Sequence, residues 1–173
     1  MSGPDHTATL EVSRRLGDAL GYAGRLEEAR VIQMDNLERL ERILPPEHAE
    51  LGQALHSLAH TLMTQGRDRE AEPLQARALT IFRAAFPGDH LSTAAALNNM
   101  ANLRSDLGDL EGGLALHHAS LAMKRRLFGD DFPGLATSYS NLAGVLSDMG
   151  DLEGALDYYQ RTLDHDRRTV GDD

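Results

Sequence analysis

Leu97 to Leu114 reads LNNMANLRSDLGDLEGGL, an apolar-periodic segment that runs into Gly108 and restarts at Asp109 as a second helical segment. The same wording returns at Tyr139 to Leu156, YSNLAGVLSDMGDLEGAL. It returns in weaker form at Leu55 to Glu72 and at Ser13 to Arg30. The glycines that mark the break, Gly24, Gly66, Gly108 and Gly150, stand 42 residues apart each time. Four copies at one period, without insertion, are the signature of a stacked repeat. The expected architecture is one solenoid domain in which each unit touches only its neighbours.

Within each copy the pattern predicts two helices. In the first, helix A covers about 6–23 and helix B about 26–44, with Asp5 or Thr7 as N-cap and Pro45 and Pro46 closing the pair. Gly24 stops helix A because glycine takes the left-handed conformation at no steric cost. Leu16, Gly17 and Leu20 lie on one face of helix A, and Ala29, Ile32, Leu37 and Leu40 are expected on the packing side of helix B. The later pairs are predicted at about 47–65 and 68–86, 90–107 and 110–128, and 133–149 and 152–170. Pro73 is read as lying near the start of its helix, where a missing N–H matters least, and Pro133 as suiting a first turn. The linkers PPEH, PGDH and GDDF are short, so successive helices pack antiparallel. Leu58, Met100 and Leu142 are equivalent core positions.

Composition narrows the function. Seventeen Lys and Arg face 27 Asp and Glu, a formal charge of −10, and that argues against a nucleic-acid partner. With no cysteine there are no disulfides or thiolate metal sites. No apolar run reaches membrane-spanning length and no signal peptide opens the chain, so a soluble, cytoplasmic protein with no membrane partner is expected. Richness in Arg, Ala, Gly and Asp, with Lys124 as the only lysine, suggests a GC-rich bacterial genome.

The reactive residue types read as structural. His56 and His60 lie one helical turn apart, but zinc needs three or four ligands and no third is evident, so no metal and no other cofactor is expected. His6, His48 and His90 are one period apart, with Phe132 as the fourth member, which makes them a linker column. His117 and His118 read as partly exposed packing, and Glu27-Glu28 and Asp130-Asp131 as solvated or capping charges. Nucleophile-elbow, P-loop and dinucleotide signatures are missing, so an enzyme is not expected.

Two columns of small residues flank the turn glycine: Gly17, Ala59, Ala101 and Ala143 before it, and Ala29, Ala71, Gly113 and Ala155 after it. HEAT-like repeats have a similar period but lack this pair. Tyr139-x2-Leu142-Ala143-x2-Leu146, followed by Ala155-x3-Tyr159, resembles the tetratricopeptide pattern W-x2-L-G-x2-Y…A-x3-F. Together with Leu97-Asn98-Asn99-Met100-Ala101, Ser140-Asn141-Leu142-Ala143, Gly66-Arg67 before Glu70-Ala71-Glu72-Pro73-Leu74, and Phe86-Pro87-Gly88-Asp89-His90, it is similar to the 42-residue tetratricopeptide repeats of kinesin light chains and their bacterial relatives. The chain departs from that pattern at Arg14-Arg15 and His56-Ser57, where the family usually has its Asn pair. Gly129 and Gly171 stand in place of the proline after helix B.

The resemblance implies an all-α, right-handed α-solenoid of four helix-turn-helix units and eight helices. The repeats fall at about 4–45, 46–87, 88–129 and 130–171. It also implies A helices lining a concave groove. The polar side of those helices carries Arg14, Arg15 and Asp18, then His56 and His60, then Asn98, Asn99 and Asn102, then Ser140 and Asn141. Any surface helix has a polar side, but asparagine is a poor helix former and three in five residues is a local cost without structural gain. The amide both donates and accepts, which suits a peptide backbone. The expected function is therefore non-catalytic binding of a peptide or protein segment, with Arg14 and Arg15 drawing an acidic ligand end toward the first repeat. The alternatives are a scaffold segment that self-associates end to end through uncapped terminal repeats, or a regulatory arm of a larger signalling enzyme. The opening SGPDHTAT and closing TVGDD read as linker pieces of a longer array.

Overall fold

The computed structural model describes residues 7–170 of the chain. Among them are eight α-helices and no strand: α1 Thr7–Tyr22, α2 Leu26–Ile43, α3 Ala49–Thr64, α4 Asp68–Ala85, α5 Leu91–Asp106, α6 Leu110–Phe128, α7 Gly134–Asp148 and α8 Leu152–Val170. They form two compact units, Met1–Ala85 and Phe86–Asp173. Each unit holds two helix hairpins: α1/α2 and α3/α4 in the first, α5/α6 and α7/α8 in the second. In the first, α2 also packs on α3; in the second, α6 packs on α7.

The marker glycines close each hairpin in the same way. Gly66 has φ 70°, its N–H reaches the Met63 carbonyl at 2.9 Å, and the Arg67 N–H reaches the Leu62 carbonyl at 2.9 Å. That pair of bonds satisfies helix-end carbonyls otherwise left without a donor. The bond from the residue that follows the glycine repeats at Arg25, Asp109 and Asp151. The small columns let the paired helices approach: a Cβ on Gly113 would lie 3.0 Å from the Ala101 carbonyl oxygen.

The linker histidines act as N-caps, since Nδ1 of His48 accepts from the Glu50 N–H at 3.3 Å and Nδ1 of His90 from that of Ser92 at 3.2 Å. The His90 ring also stacks on Phe86, and Phe132 stacks on Phe128 at 4.4 Å between centroids. His6 and Asp5 lie outside the described residues. Glu27 and Glu28 pair with Arg30 and Arg25, and Asp130 and Asp131 with Arg125 and Arg168, as solvated charges.

Leu58, Met100 and Leu142 are buried as their column predicts. Leu16 shares that column but is 51% exposed, because α1 has no helix packed against its outer side among the described residues. Two expectations fail. Pro73 falls in the second turn of α4, beyond the first turn's unbonded N–H groups, so the Arg69 carbonyl loses its usual partner there. His117 and His118 separate fully, with His118 on the surface and His117 only 2% exposed.

Candidate functional site: the polar faces of the A helices

Each unit presents its own polar face. In the first unit α1 and α3 lie side by side. Arg14 is clamped between two carboxylates, donating to Glu11 at 2.9 Å and to Asp18 at 2.7 Å, and Arg15 donates to the same Glu11 at 2.8 Å. The hydrogen bonds from Arg14 hold the Glu11 carboxyl below its usual pKa. Two arginines thus share two carboxylates, and the positive excess expected at this end of the surface is cancelled locally.

On α3 the half-buried His56 sets its ring edge-on to Phe82, 6.2 Å between centroids, and its Nδ1 meets Oε1 of the buried Gln75 at 3.1 Å. Burial pushes the His56 pKa down, against the raising effect of the Gln75 bond. His60, one turn on, is exposed. Arg14, Asp18, His56 and His60, with Ser57 and Gln33, line a polar hollow of about 200 Å³.

In the second unit α5 and α7 carry the asparagines. Asn141 Nδ2 donates to Asn98 Oδ1 at 3.0 Å across the two helices, and all of Asn98, Asn99, Asn102, Ser140 and Asn141 are half-buried. Ser140 Oγ lies 3.4 Å from Thr162 Oγ1 on α8. The bond uses Nδ2 of Asn141 and Oδ1 of Asn98, and leaves Nδ2 of Asn98 and Oδ1 of Asn141 outside it. The structure brings two of these five side chains, Asn98 and Asn141, into a bond that the sequence did not show. Among the described residues, no group of three or more His, Asp or Glu side chains is gathered as a metal ion would need.

A column on the B helices was missed. Gln33, Gln75 and His117 stand 42 residues apart and are all buried. Gln33 donates to Asp18 at 3.3 Å as Gln75 meets His56, so these amides support the polar face from beneath. Their spacing was visible, but glutamine and histidine read as surface residues in a one-dimensional pattern. His117 has no partner at Nδ1, and burial first, with Lys124 and His118 nearby, pushes its pKa down to about 4. His165 was also missed: it is buried with neither ring nitrogen hydrogen-bonded, Nδ1 lying 3.9 Å from Asp166 Oδ1, and is edge-on to Tyr139 at 6.0 Å.

Comparison with known proteins fits this architecture. A family profile described as tetratricopeptide repeat matches residues 50–112 and 92–168, and a second of the same description matches residues 9–50. The chain belongs to the tetratricopeptide repeat family. Similar solved structures include a kinesin light chain assigned in Podosopora anserina, with nearly identical TPR-like repeats. A single-substitution form of it matches with TM-score 0.80 and 19% identity over 98% of this chain and 80% of that one. Another form matches with TM-score 0.75 and 19% identity over 96% and 79%. BtubC (BKLC) from P. vanneervenii matches with TM-score 0.85 and 20% identity over 99% of this chain and 67% of that one. At these identities the likeness is one of fold. No curated protein matches the chain. Tetratricopeptide repeats generally mediate protein–protein interaction, typically without catalysis. Among the described residues of this repeat protein, no helix is long and apolar enough to cross a membrane.

Proposed function

We propose that this tetratricopeptide repeat protein binds an extended peptide segment of a protein partner on the polar faces of its A helices, with the α5–α7 face as the main contact. The observation that carries this reading is the Asn141–Asn98 bond. It ties two side-chain amides together and leaves the Asn98 Nδ2 donor and the Asn141 Oδ1 acceptor outside the bond, and a peptide unit offers one carbonyl and one N–H to such a pair. Fixing them in advance lowers the entropy lost on binding. Asn99 and Asn102, on the same face of α5 one turn apart or less, extend the row. In kinesin light chain-like repeats the recurrent asparagine is implied in the same role. On the α1–α3 face, an acidic ligand end would have to draw Arg14 away from Glu11 and Asp18, so that face favours neutral polar segments.

Panning a peptide-display library on the purified protein, followed by calorimetric titration of the selected peptides, tests this reading. Truncation of Asn98 or Asn99 to Ala should weaken binding by about 0.5–1.5 kcal/mol each. Unchanged affinity in a folded Asn98→Ala, Asn99→Ala variant would exclude the α5–α7 face.

A further inference from the structure

Two apolar faces lie open at opposite ends of the helix order. On α8, Leu152, Leu156, Tyr159 and Leu163 recur at helical spacing and are all exposed, Leu156 at 62% and Leu163 at 53%. One period earlier on α6, His117 and Leu121 hold the register of Tyr159 and Leu163; both are buried, and α6 packs on α7. On α2, Gln33 and Leu37 hold the same register, again buried, and α2 packs on α3. The α8 stripe is therefore the surface on which a B helix receives the next A helix.

The matching surface is on α1. Val12 and Leu16 are 65% and 51% exposed. Their equivalents, Ala54 and Leu58 on α3 and Ser138 and Leu142 on α7, are all buried, on helices that pack against a preceding B helix.

We propose that the α8 face of one copy of this chain seats the α1 face of a second copy, repeating between molecules the contact that α6 makes with α7. Charge complementarity favours the match at one position. Inside the first unit, Glu41 of α2 pairs with Arg77 of α4. Carried across the intermolecular joint at the same offset, that pair becomes Arg167 of one copy and Asp35 of the next, opposite in sign again, where the second unit has Arg125 and Arg161. The exception is Asp166, which takes the register of the buried Leu40 and Phe82 and of Lys124; since Lys124 donates to Ser138, the equivalent of Val12, Asp166 would face Val12. The two faces differ, so the contact is heterologous and extends into chains or rings instead of stopping at a two-fold dimer. The −10 charge on each copy opposes it, and added salt therefore strengthens it.

Sedimentation velocity from micromolar to millimolar concentration tests this with two blocked variants, Val12→Asp/Leu16→Asp and Leu156→Asp/Leu163→Asp, each altered only at exposed positions. Wild type should show mass rising with concentration. Each blocked variant should stay monomeric alone, yet an equal mixture of the two should form a heterodimer and nothing larger. Asp166→Leu should tighten the wild-type association about tenfold, the scale of one fully buried side chain. Wild type that remains monomeric throughout, as it would if the faces serve some other partner, overturns the proposal. So does self-association of either blocked variant alone, which would point to a symmetric contact.

Discussion

Asn99 and Asn141 hold the same position one period apart, and both are half-buried, yet only Asn141 is tied into the fold through Asn98. Asn141→Ala should therefore cost about 0.5–1.5 kcal/mol in urea unfolding, the net worth of a hydrogen bond. Asn99→Ala, with no side-chain bond to lose, should stay within about 0.5 kcal/mol. Equal costs would mean that the amide pair does not form. His117 gives a second residue-level test. Its folded pKa of about 4 lies below the ordinary value of 6.5, so between those values the unfolded chain binds the extra proton. Its contribution is complete above pH 6.5 and falls as the pH drops toward 4, by up to about 3 kcal/mol. His117→Gln places there the side chain found at Gln33 and Gln75, and should flatten the pH dependence of the urea midpoint over that window. An unchanged slope would show that another group is responsible.

At the scale of elements, the helices were legible because one pattern recurs every 42 residues and each copy is broken by a glycine or a proline-bearing linker. What the pattern could not supply was which neighbour covers each stripe. Leu16 and Leu142 hold the same column, but Leu142 is 0% exposed and Leu16 51%. Leu142→Ala should cost about 2–5 kcal/mol, through lost transfer energy and the cavity left behind. Leu16→Ala should cost less than about 0.5 kcal/mol. Comparable losses would mean that α1 is covered. Gly66 in its left-handed conformation predicts a further cost, since Gly66→Ala adds a Cβ at φ 70° and should lose about 1–2 kcal/mol. A neutral result in thermal unfolding would show that the turn relaxes. The candidate site was legible by column: the ten polar residues fall on the A helices as the repeat implies. The buried supports Gln33, Gln75, His117 and His165 were not, because a polar side chain signals burial only once its partner or its cover is known.

On the scale of the whole molecule, one period of 42 residues accounts for the hairpins, the small columns and the polar faces of both units. The same period marks the outer faces of α1 and α8 as surfaces built to be covered. What the repeat does not carry is ligand identity, since polar faces of this kind serve many partners on one fold. The central claim is that the half-buried asparagine amides of the α5–α7 face contact the bound peptide. It is tested most directly by following the side-chain NH2 resonances of isotope-labelled protein through a titration with a selected peptide. The Asn98, Asn99 and Asn102 amides should shift in step with binding, while that of the buried Asn36 stays in place. Saturable binding that leaves all three asparagine resonances unmoved would contradict it.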